Sequence, residues 1–199
     1  MKEATIFKKI YIENKREHRY ANIQHKKLII CFSGIPCSGK TFIAKIIEGK
    51  YKAIRVNTDD IRKIIKGLGK KYQQLLDGKY KEEILDKYLM DLLKNYSFKN
   101  KLIILDKSVD RDYNKILEIA KEHNFKLFIV TVKASMKKIN QRIRIKCKWP
   151  DMNFINNINR WKKEYNSFNE KIKADIIINN NQNKKPDLSL LFLKLDKII

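Results

Sequence analysis

The 199-residue sequence predicts an α/β fold in which helices cover both faces of a parallel sheet. Short apolar runs alternate with segments whose apolar residues recur at helical spacing, and this alternation is typical of strands joined by helices. The apolar runs end in polar residues, among them Ser33, Asp59, Asp106 and Ser108. Ligands of such sheets bind beyond the carboxyl ends of the strands, so these polar ends are candidates for a functional site.

The predicted elements alternate along the chain from about residue 27 to its end. Strands are predicted immediately before Gly34 and at 51–57, 102–106, 126–132 and 174–178. Helices are predicted from 42 onward, from 58 to about 67, over 70–99 with a break near 77–78, and at 113–123, 136–146, 154–168 and 188–199. Residues 27–199 are therefore predicted to form one domain.

Residues 1–26 are predicted to be an N-terminal helical extension outside this domain. Ile6, Phe7, Ile10 and Tyr11 have helix-like spacing, and a charged linker follows them. Three Glu residues and a preference for Lys over Arg argue against a mitochondrial presequence. The sequence also has neither the apolar core of a signal peptide nor a run of about 18 apolar residues that would span a membrane. We therefore expect a cytoplasmic protein without a membrane partner.

The formal net charge of +23 favours anionic ligands but does not identify them. A basic face for nucleic acid is one interpretation. The alternative is compositional, because Lys exceeds Arg and both Ile and Asn are abundant, as an AT-rich coding sequence would produce. The Cys and His residues are scattered and form no C-x-x-C pair, which argues against a disulfide framework or a zinc site.

The stretch from Gly34 to Thr41 fits the phosphate-binding pattern G-x-x-x-x-G-K-[ST] between a strand and a helix. Its glycines let the backbone wrap a polyphosphate, which then faces successive N–H groups and the positive end of the helix dipole. Lys40 would neutralise the outer phosphates, and the Thr41 hydroxyl would ligate Mg²⁺. The predicted nucleotide-binding residues are Gly34, Ile35, Pro36, Cys37, Ser38, Gly39, Lys40 and Thr41.

Asp59 and Asp60 follow the second predicted strand, at the edge of the sheet where the loop would hold phosphates. A carboxylate at this position can accept the proton of an attacking hydroxyl as a general base. The alternative is that Thr58 or Asp59 caps the next helix, which is worth about 1 kcal/mol. Arg62 lies one turn further on, and it either contacts a phosphate of the substrate or forms a surface salt bridge.

Three further charged residues are candidates for the same site. Asp106 ends the third predicted strand, where an acid can hold Mg²⁺ directly or through water, although a strand-end Asp also occurs in turns. Arg111 either faces the substrate or pairs with the neighbouring Asp110 or Asp112. Arg142 either belongs to a lid at about 140–153 that covers the transferring phosphoryl group, or it lies on a solvated basic helix.

With these residues, the chain resembles the P-loop kinase superfamily, and within it the polynucleotide kinase-like and zeta-toxin-like group with an AAA-type ATP-binding domain. The resemblance covers about 27–180 and rests on four segments: the loop at 34–41, V-N-T-D-D-I-R at 56–62, I-I-L-D at 103–106 and I-N-Q-R at 139–142. It implies a three-layer P-loop NTPase fold with strand order 2-3-1-4-5. It also implies that Asp59 is the general base, that Arg62 contacts a phosphate of the acceptor, and that Arg142 is the lid arginine.

The sequence departs from the pattern of this group at two places. Lys107 and Ser108 follow the third-strand acid, where a small residue and then Thr or Asn are more usual. Cys37 replaces a Gly that is common in the loop, and a negative φ would accommodate its side chain. A zeta toxin would also have different acceptor-site residues after the second-strand acid.

Three functions are compatible with these residues. The first is an ATP- and Mg²⁺-dependent kinase that phosphorylates a hydroxyl, with the 5′-hydroxyl of a nucleic acid as the favoured acceptor. The second is a kinase for a small molecule such as a nucleotide sugar, a nucleoside or an antibiotic, and the third is a non-catalytic nucleotide- or nucleic-acid-binding module. If the protein is a kinase, its predicted catalytic residues are Lys40, Asp59 and Arg142. Its predicted substrate-binding residues are Asp60, Arg62 and Arg111, and its predicted metal ligands are Thr41 and Asp106.

Overall fold

A five-stranded parallel sheet forms the centre of the structure. The computed structural model describes residues 6–12, 26–70, 72, 81–99, 102–146, 152–182 and 185–199. The strands are β1 (Leu28–Ser33), β2 (Ile54–Val56), β3 (Leu102–Ser108), β4 (Lys126–Lys133) and β5 (Ile176–Asn179). Their order is β2-β3-β1-β4-β5, and every neighbouring pair is parallel, which confirms the predicted α/β class and strand order.

The helices alternate with these strands along the chain. They are α1 (6–12), α2 (Lys40–Tyr51), α3 (Thr58–Gly67), α4 (Lys81–Lys99), α5 (Tyr113–Glu122), α6 (Met136–Lys146), α7 (Met152–Lys171) and α8 (Ser189–Asp196). The predicted break near 77–78 and residues 147–151 of the predicted lid lie outside the described residues. No helix of the described ranges has both the length and the apolar character that crossing a bilayer requires.

Two strands begin later than the sequence predicts. β2 begins at Ile54 because Tyr51 is the last residue of α2, where its ring is buried and its hydroxyl donates to Asp196 Oδ1 over 2.5 Å. β5 begins at Ile176 because the Asp175 carboxylate takes the place of a backbone acceptor and binds the N–H of Ile129 at 2.7 Å. Side-chain contacts with distant residues therefore set both boundaries.

The side chains of β1 alternate between two apolar cores, one on each face of the sheet. Ile29 and Cys31 belong to the core that contains residues of α3, α4 and α5. Ile30 and Phe32 belong to the core that contains residues of α2 and α8. All of β1 is buried because it lies between β3 and β4, so the phosphate-binding loop leaves the most enclosed strand of the sheet.

The N-terminal helix α1 packs on the first of these cores. Ile10 is fully buried there, and the ring centroid of Tyr11 lies 5.3 Å from that of Tyr96 in α4. Residues 6–12 thus contribute apolar surface to the core of the sheet. The predicted domain boundary between 26 and 27 stays a prediction.

A third, smaller apolar cluster joins the phosphate-binding loop to α6. Ile35 of the loop packs with Ile139 and Ile143, which lie one turn apart on α6. Tyr165 of α7 also packs against this cluster. Apolar contacts therefore hold α6 and α7 against the phosphate-binding loop.

Replacement of Ile10 by Ala should lower the free energy of unfolding by about 2–5 kcal/mol, because it leaves a cavity in the core. Ile12 lies on the same helix with 39% of its surface exposed. Ile12→Ala is the matched control and should cost about 0.5 kcal/mol or less. Urea denaturation followed by circular dichroism measures both variants, and equally small losses would show that α1 does not pack on the sheet in solution.

Candidate active site

Two glycines allow the loop between β1 and α2 to fold tightly. Gly34 has φ +147°, and a Cβ atom there would lie 2.6 Å from the carbonyl oxygen of Val132. Gly39 has φ +112°, and a Cβ atom there would overlap the side-chain amide of Asn180. Both positions therefore require Gly for space as well as for backbone conformation.

Cys37 has φ +65°, in the left-handed region. The negative φ that would have accommodated this side chain is thus not what the loop adopts. A residue with a Cβ atom costs about 1–2 kcal/mol in this conformation. The tight turn from Ile35 to Ser38, closed by a backbone hydrogen bond of 3.1 Å, imposes it.

Lys40 lies over the loop at the start of α2. Its Nζ donates to the carbonyl oxygens of Gly34 at 2.5 Å and Ile35 at 3.1 Å. Burial lowers the pKa of Lys40 to about 8, although the carboxylates of Asp110 and Asp106 act in the opposite direction. The amine is thus held beside the loop backbone, where phosphates bind to this motif.

Thr41 and Asp106 lie in contact at the end of the sheet. The Thr41 hydroxyl donates to Asp106 Oδ1 at 3.0 Å. Burial raises the pKa of Asp106, against the opposing effects of Arg55 and Thr41. A hydroxyl and a carboxylate are hard oxygen ligands of the kind that Mg²⁺ prefers, so this pair fits a magnesium site that phosphates would complete. The described residues contain no cluster of three or more His, Cys, Asp or Glu that could hold a metal alone.

Arg55 is a buried residue of the site that the sequence did not single out. From the middle of β2 its guanidinium donates at 2.9 Å to each of three carboxylates: Glu48 of α2, Asp60 of α3 and Asp106 of β3. Burial alone would lower the pKa of Arg55, but these carboxylates raise it above its ordinary value. The only signal in the sequence was one charged residue inside a short apolar strand.

Asp59 and Asp60 have different surroundings. The Asp59 side chain is 64% exposed and pairs with Arg62 Nη1 at 2.6 Å. Asp60 is buried, and its Oδ2 accepts from Arg55 and from the side-chain amide of Asn57. Asn57 also caps α3 by accepting from the Asp60 N–H at 2.8 Å, so the cap is neither Thr58 nor Asp59.

Arg111 and Arg142 reach the site from opposite sides. Arg111 Nε lies 3.4 Å from a carboxylate oxygen of Glu164 in α7. Within the described residues, Arg111 therefore pairs with Glu164 and not with the neighbouring Asp110 or Asp112. Arg142 Nη1 donates to the carbonyl oxygens of Cys37 and Ser38, and Nη2 donates to that of Asn180 at 2.8 Å. The Arg142 guanidinium therefore links the loop to the segment after β5 through these hydrogen bonds.

A cleft of about 650 Å³ brings most of the predicted residues together. The predicted residues that line it are Gly34, Pro36, Cys37, Gly39, Lys40, Thr41, Asp59, Arg62, Arg111 and Arg142. Ile35 packs in the apolar cluster with α6, and neither Ser38 nor the buried Asp60 and Asp106 lines this cleft. The strand-end candidate Ser108 also lines it, whereas the sequence missed the lining residues Asp86, Lys107, Asp110, Trp161 and Glu164. Residues 107 and 108 end β3 and residues 109 and 110 follow it, so this segment was detectable, whereas Trp161 and Glu164 lie on α7 without a motif.

The family model for an AAA domain matches residues 29–154, which is more than half of the chain. The chain belongs to this AAA domain family. The match begins in β1 and includes the loop, β2 to β4 and α6, but it ends before the cleft residues Trp161 and Glu164 of α7. The sequence matches no curated protein.

Solved structures share the fold of this AAA domain at low sequence identity. A structure from the PezAT chromosomal toxin–antitoxin system of Streptococcus pneumoniae has a TM-score of 0.65 at 14% identity and covers 94% of this chain and 80% of that chain. Shikimate kinase from Acinetobacter baumannii in complex with shikimate has a TM-score of 0.59 at 14% identity, with 92% and 97% covered. The APS kinase of Mycobacterium tuberculosis with AMPPNP and APS has a TM-score of 0.55 at 12% identity, with 88% and 98% covered. The predicted three-layer P-loop NTPase fold is therefore confirmed.

Arg55→Met in this AAA domain should lower the free energy of unfolding by about 3–5 kcal/mol, because it leaves the buried Asp106 carboxylate without its ion pair and removes the nearer of the two cations that contact Asp60. The difference from wild type should shrink between about pH 7 and about pH 5, because burial raises the pKa of Asp106 and protonation of this carboxyl removes uncompensated charge. Arg62→Met is the matched control. It breaks the exposed pair with Asp59 and should cost about 1 kcal/mol or less. Denaturant titrations at both pH values measure these losses, and equal losses for the two variants would contradict the assignment.

The affinity of the AAA domain for ADP should fall as the pH rises through about 8, because Lys40 then loses the charge that faces the phosphates. Calorimetric titration between about pH 7 and about pH 9.5 measures this change. Lys40→Met should bind weakly and without the pH dependence. Cys37→Ser controls for the loop thiol, which ordinarily titrates in the same range. An unchanged pH dependence in Lys40→Met would contradict the role given to Lys40.

Proposed function

We propose that the protein transfers the γ-phosphoryl group of ATP to a hydroxyl, and that its preferred acceptor is the 5′-hydroxyl of a polynucleotide. The observation that carries the proposal is that Asp59 and Arg62 line the same cleft as Lys40 and Thr41. A carboxylate base and a cation beside a phosphate-binding loop are what phosphoryl transfer to a hydroxyl requires. The kinases of the same fold support this reaction class.

In this proposal, the loop amides of 34–41 and Lys40 bind the phosphates of ATP. Lys40 exchanges its bonds to the Gly34 and Ile35 carbonyl oxygens for bonds to the β- and γ-phosphates. This exchange favours binding because a charged amine bonds an anionic oxygen more strongly than a neutral carbonyl. Thr41 and Asp106 would hold Mg²⁺, which shields the negative charge of the phosphates when it is bound.

Asp59 is assigned the acceptor side of the reaction. It accepts the hydroxyl proton as the acceptor oxygen forms a bond to the γ-phosphorus, and the bond from that phosphorus to the β–γ bridging oxygen breaks to release ADP. Arg62 Nη1 lies 2.6 Å from Asp59 Oδ1, so one cation serves both the base and a phosphate of the acceptor. The buried Asp60 is assigned to hold α3 through Arg55 and not to contact the substrate.

Arg142 is assigned to the transferring group. It already lines the cleft, and its guanidinium lies against the loop through the Ser38 carbonyl oxygen at 2.8 Å. Charge that develops on the γ-phosphoryl oxygens would attract this guanidinium away from the neutral carbonyls. The apolar contacts of Ile139 and Ile143 keep α6 at the loop during that exchange.

The lining of the cleft favours an acceptor that contains nucleotides. Arg62 and Arg111 line the cleft, each paired with an acid, and Trp161 adds an aromatic ring. Lys107 also lines it but is already paired with Asp86 and Asp112. Cations combined with an aromatic side chain are suited to phosphodiesters and bases. This combination supports a polynucleotide as the first candidate.

A small-molecule acceptor is the second candidate. Solved structures of the same fold include kinases bound to shikimate and to APS. In addition, α7 walls one side of the cleft through Trp161 and Glu164, which would enclose a compact acceptor. A non-catalytic module is the third candidate, and binding of nucleic acid that is unaffected by Asp59 and Lys40 substitutions would favour it.

Transfer of labelled γ-phosphate to a panel of acceptors distinguishes these candidates. The panel contains 5′-hydroxyl DNA and RNA oligonucleotides, the same oligonucleotides with a 5′-phosphate, and small hydroxyl compounds. Labelling of the 5′-hydroxyl oligonucleotides alone supports the first candidate, and labelling of a small compound alone supports the second. Absence of any labelled product would contradict a kinase.

Asp59→Asn should lower kcat by about 10²–10⁴-fold while the affinity for ATP stays within about twofold, because the base acts only on the acceptor. Asp86→Asn removes a carboxylate from another wall of the same cleft and is the matched control. It should keep kcat within about tenfold. Lys40→Ala should weaken both ATP binding and turnover. Full turnover in Asp59→Asn would overturn the base assignment, and full activity in Lys40→Ala would overturn the loop assignment.

A further inference from the structure

A second groove leads away from the active-site cleft between α5 and α7, with a volume of about 480 Å³. We call it the α5–α7 groove, and its lining includes Tyr113, Asn114, Lys163, Ser167, Phe168 and Lys171. The groove and the cleft share Asp110, Arg111 and Glu164. A ligand longer than the cleft would therefore pass the Arg111–Glu164 ion pair and continue into the groove.

Positive charge in the α5–α7 groove comes from Lys163 and Lys171. Both are exposed on α7, and within the described residues neither forms an ion pair with an acid. The acid of α7 that lines the groove, Glu164, already pairs with Arg111 and Arg160. The groove thus offers two uncompensated cations to an anionic ligand.

An aromatic pair lies beside these lysines. The ring centroids of Tyr113 and Phe168 are 5.5 Å apart, and the ring planes form an angle of 69°. Phe168 is buried, whereas Tyr113 is partly exposed and lines the groove. The buried ring fixes the orientation of Tyr113, which leaves part of the Tyr113 ring available for stacking with a planar ligand group.

Asp110 supplies an acceptor at the junction of the cleft and the groove. Its Oδ2 accepts from the Ser108 hydroxyl at 2.6 Å. Its Oδ1 is buried and has no hydrogen-bond partner within the described part of the chain. A buried acceptor without a donor is unfavourable, so a donor group of a ligand at the junction would relieve this cost.

We propose that the α5–α7 groove binds the nucleotide that follows the reacting end of a single-stranded acceptor. This inference rests on the proposed function and specifies an acceptor of at least two nucleotides. A phosphodiester lies opposite Lys163 and Lys171, its base stacks on Tyr113, and a donor of the same strand reaches Asp110 Oδ1. Cations interleaved with an aromatic ring are the arrangement that binds single strands.

Fluorescence anisotropy with a 3′-labelled, 5′-hydroxyl oligodeoxythymidine of about six nucleotides tests the groove without requiring catalysis. The variant Lys163→Glu/Lys171→Glu should bind about tenfold or more weakly than wild type, and the salt dependence of its binding should be less steep. The control Lys121→Glu/Lys197→Glu makes the same change in net charge at exposed lysines that line neither cavity. It should lose less than about threefold, since only long-range charge changes.

A second pair of variants separates stacking from charge. Tyr113→Ala should weaken binding by about tenfold, whereas Tyr113→Phe should bind as wild type does. Equal losses in the groove and control variants, or no binding by wild type, would overturn the inference. Oligonucleotide binding that follows this pattern without phosphate transfer would support the groove and overturn the proposed function.

Discussion

The buried contacts of Arg55 are the constraint on which the geometry of the site depends. One guanidinium joins α2 through Glu48, α3 through Asp60 and β3 through Asp106. Two of these partners adjoin functional groups, since Asp60 follows Asp59 in the chain and Asp106 also accepts from Thr41. The buried contacts of Arg55 therefore fix the position of the candidate base Asp59 relative to the candidate metal ligands Thr41 and Asp106. Apolar side chains of similar volume can match the stability of a buried ion pair, so the network is better explained by this positioning than by stability alone.

Both cations at the loop bind its carbonyl oxygens. Lys40 donates to residues 34 and 35, and Arg142 donates to residues 37, 38 and 180. Each bond to a neutral carbonyl is weaker than a bond to a phosphate oxygen would be. Exchange of these carbonyl partners for phosphate oxygens would thus be favourable for both side chains. The loop carbonyl oxygens therefore position Lys40 and Arg142 through hydrogen bonds that are weaker than those to a charged acceptor.

The sequence predicts what depends on local pattern and misses what depends on distant partners. Alternating apolar runs predicted the class of fold, and the spacing of Gly34, Gly39 and Lys40 predicted the loop, because both signals lie within a few residues. Arg55 was missed because its contact with Asp106 spans 51 positions in the chain. The contacts of Arg142 with the loop span 104 and 105 positions, so the helix pattern alone left its orientation open. The positive φ of Cys37 likewise follows from closure of the turn and not from the residue itself.

The positions of the Arg residues distinguish charge that serves the cleft from charge that reflects the overall abundance of Lys. Of the 45 basic residues only eight are Arg, as expected if Lys is abundant for compositional reasons. Yet three of those eight, Arg62, Arg111 and Arg142, line the active-site cleft, and Arg55 lies buried beside it. A guanidinium offers a rigid fork of donors that an amine does not, so a position that must hold a phosphate or carboxylate in a fixed geometry favours Arg. A compositional preference for Lys would account for the high net charge, but it would not account for the three Arg side chains that line this one cleft.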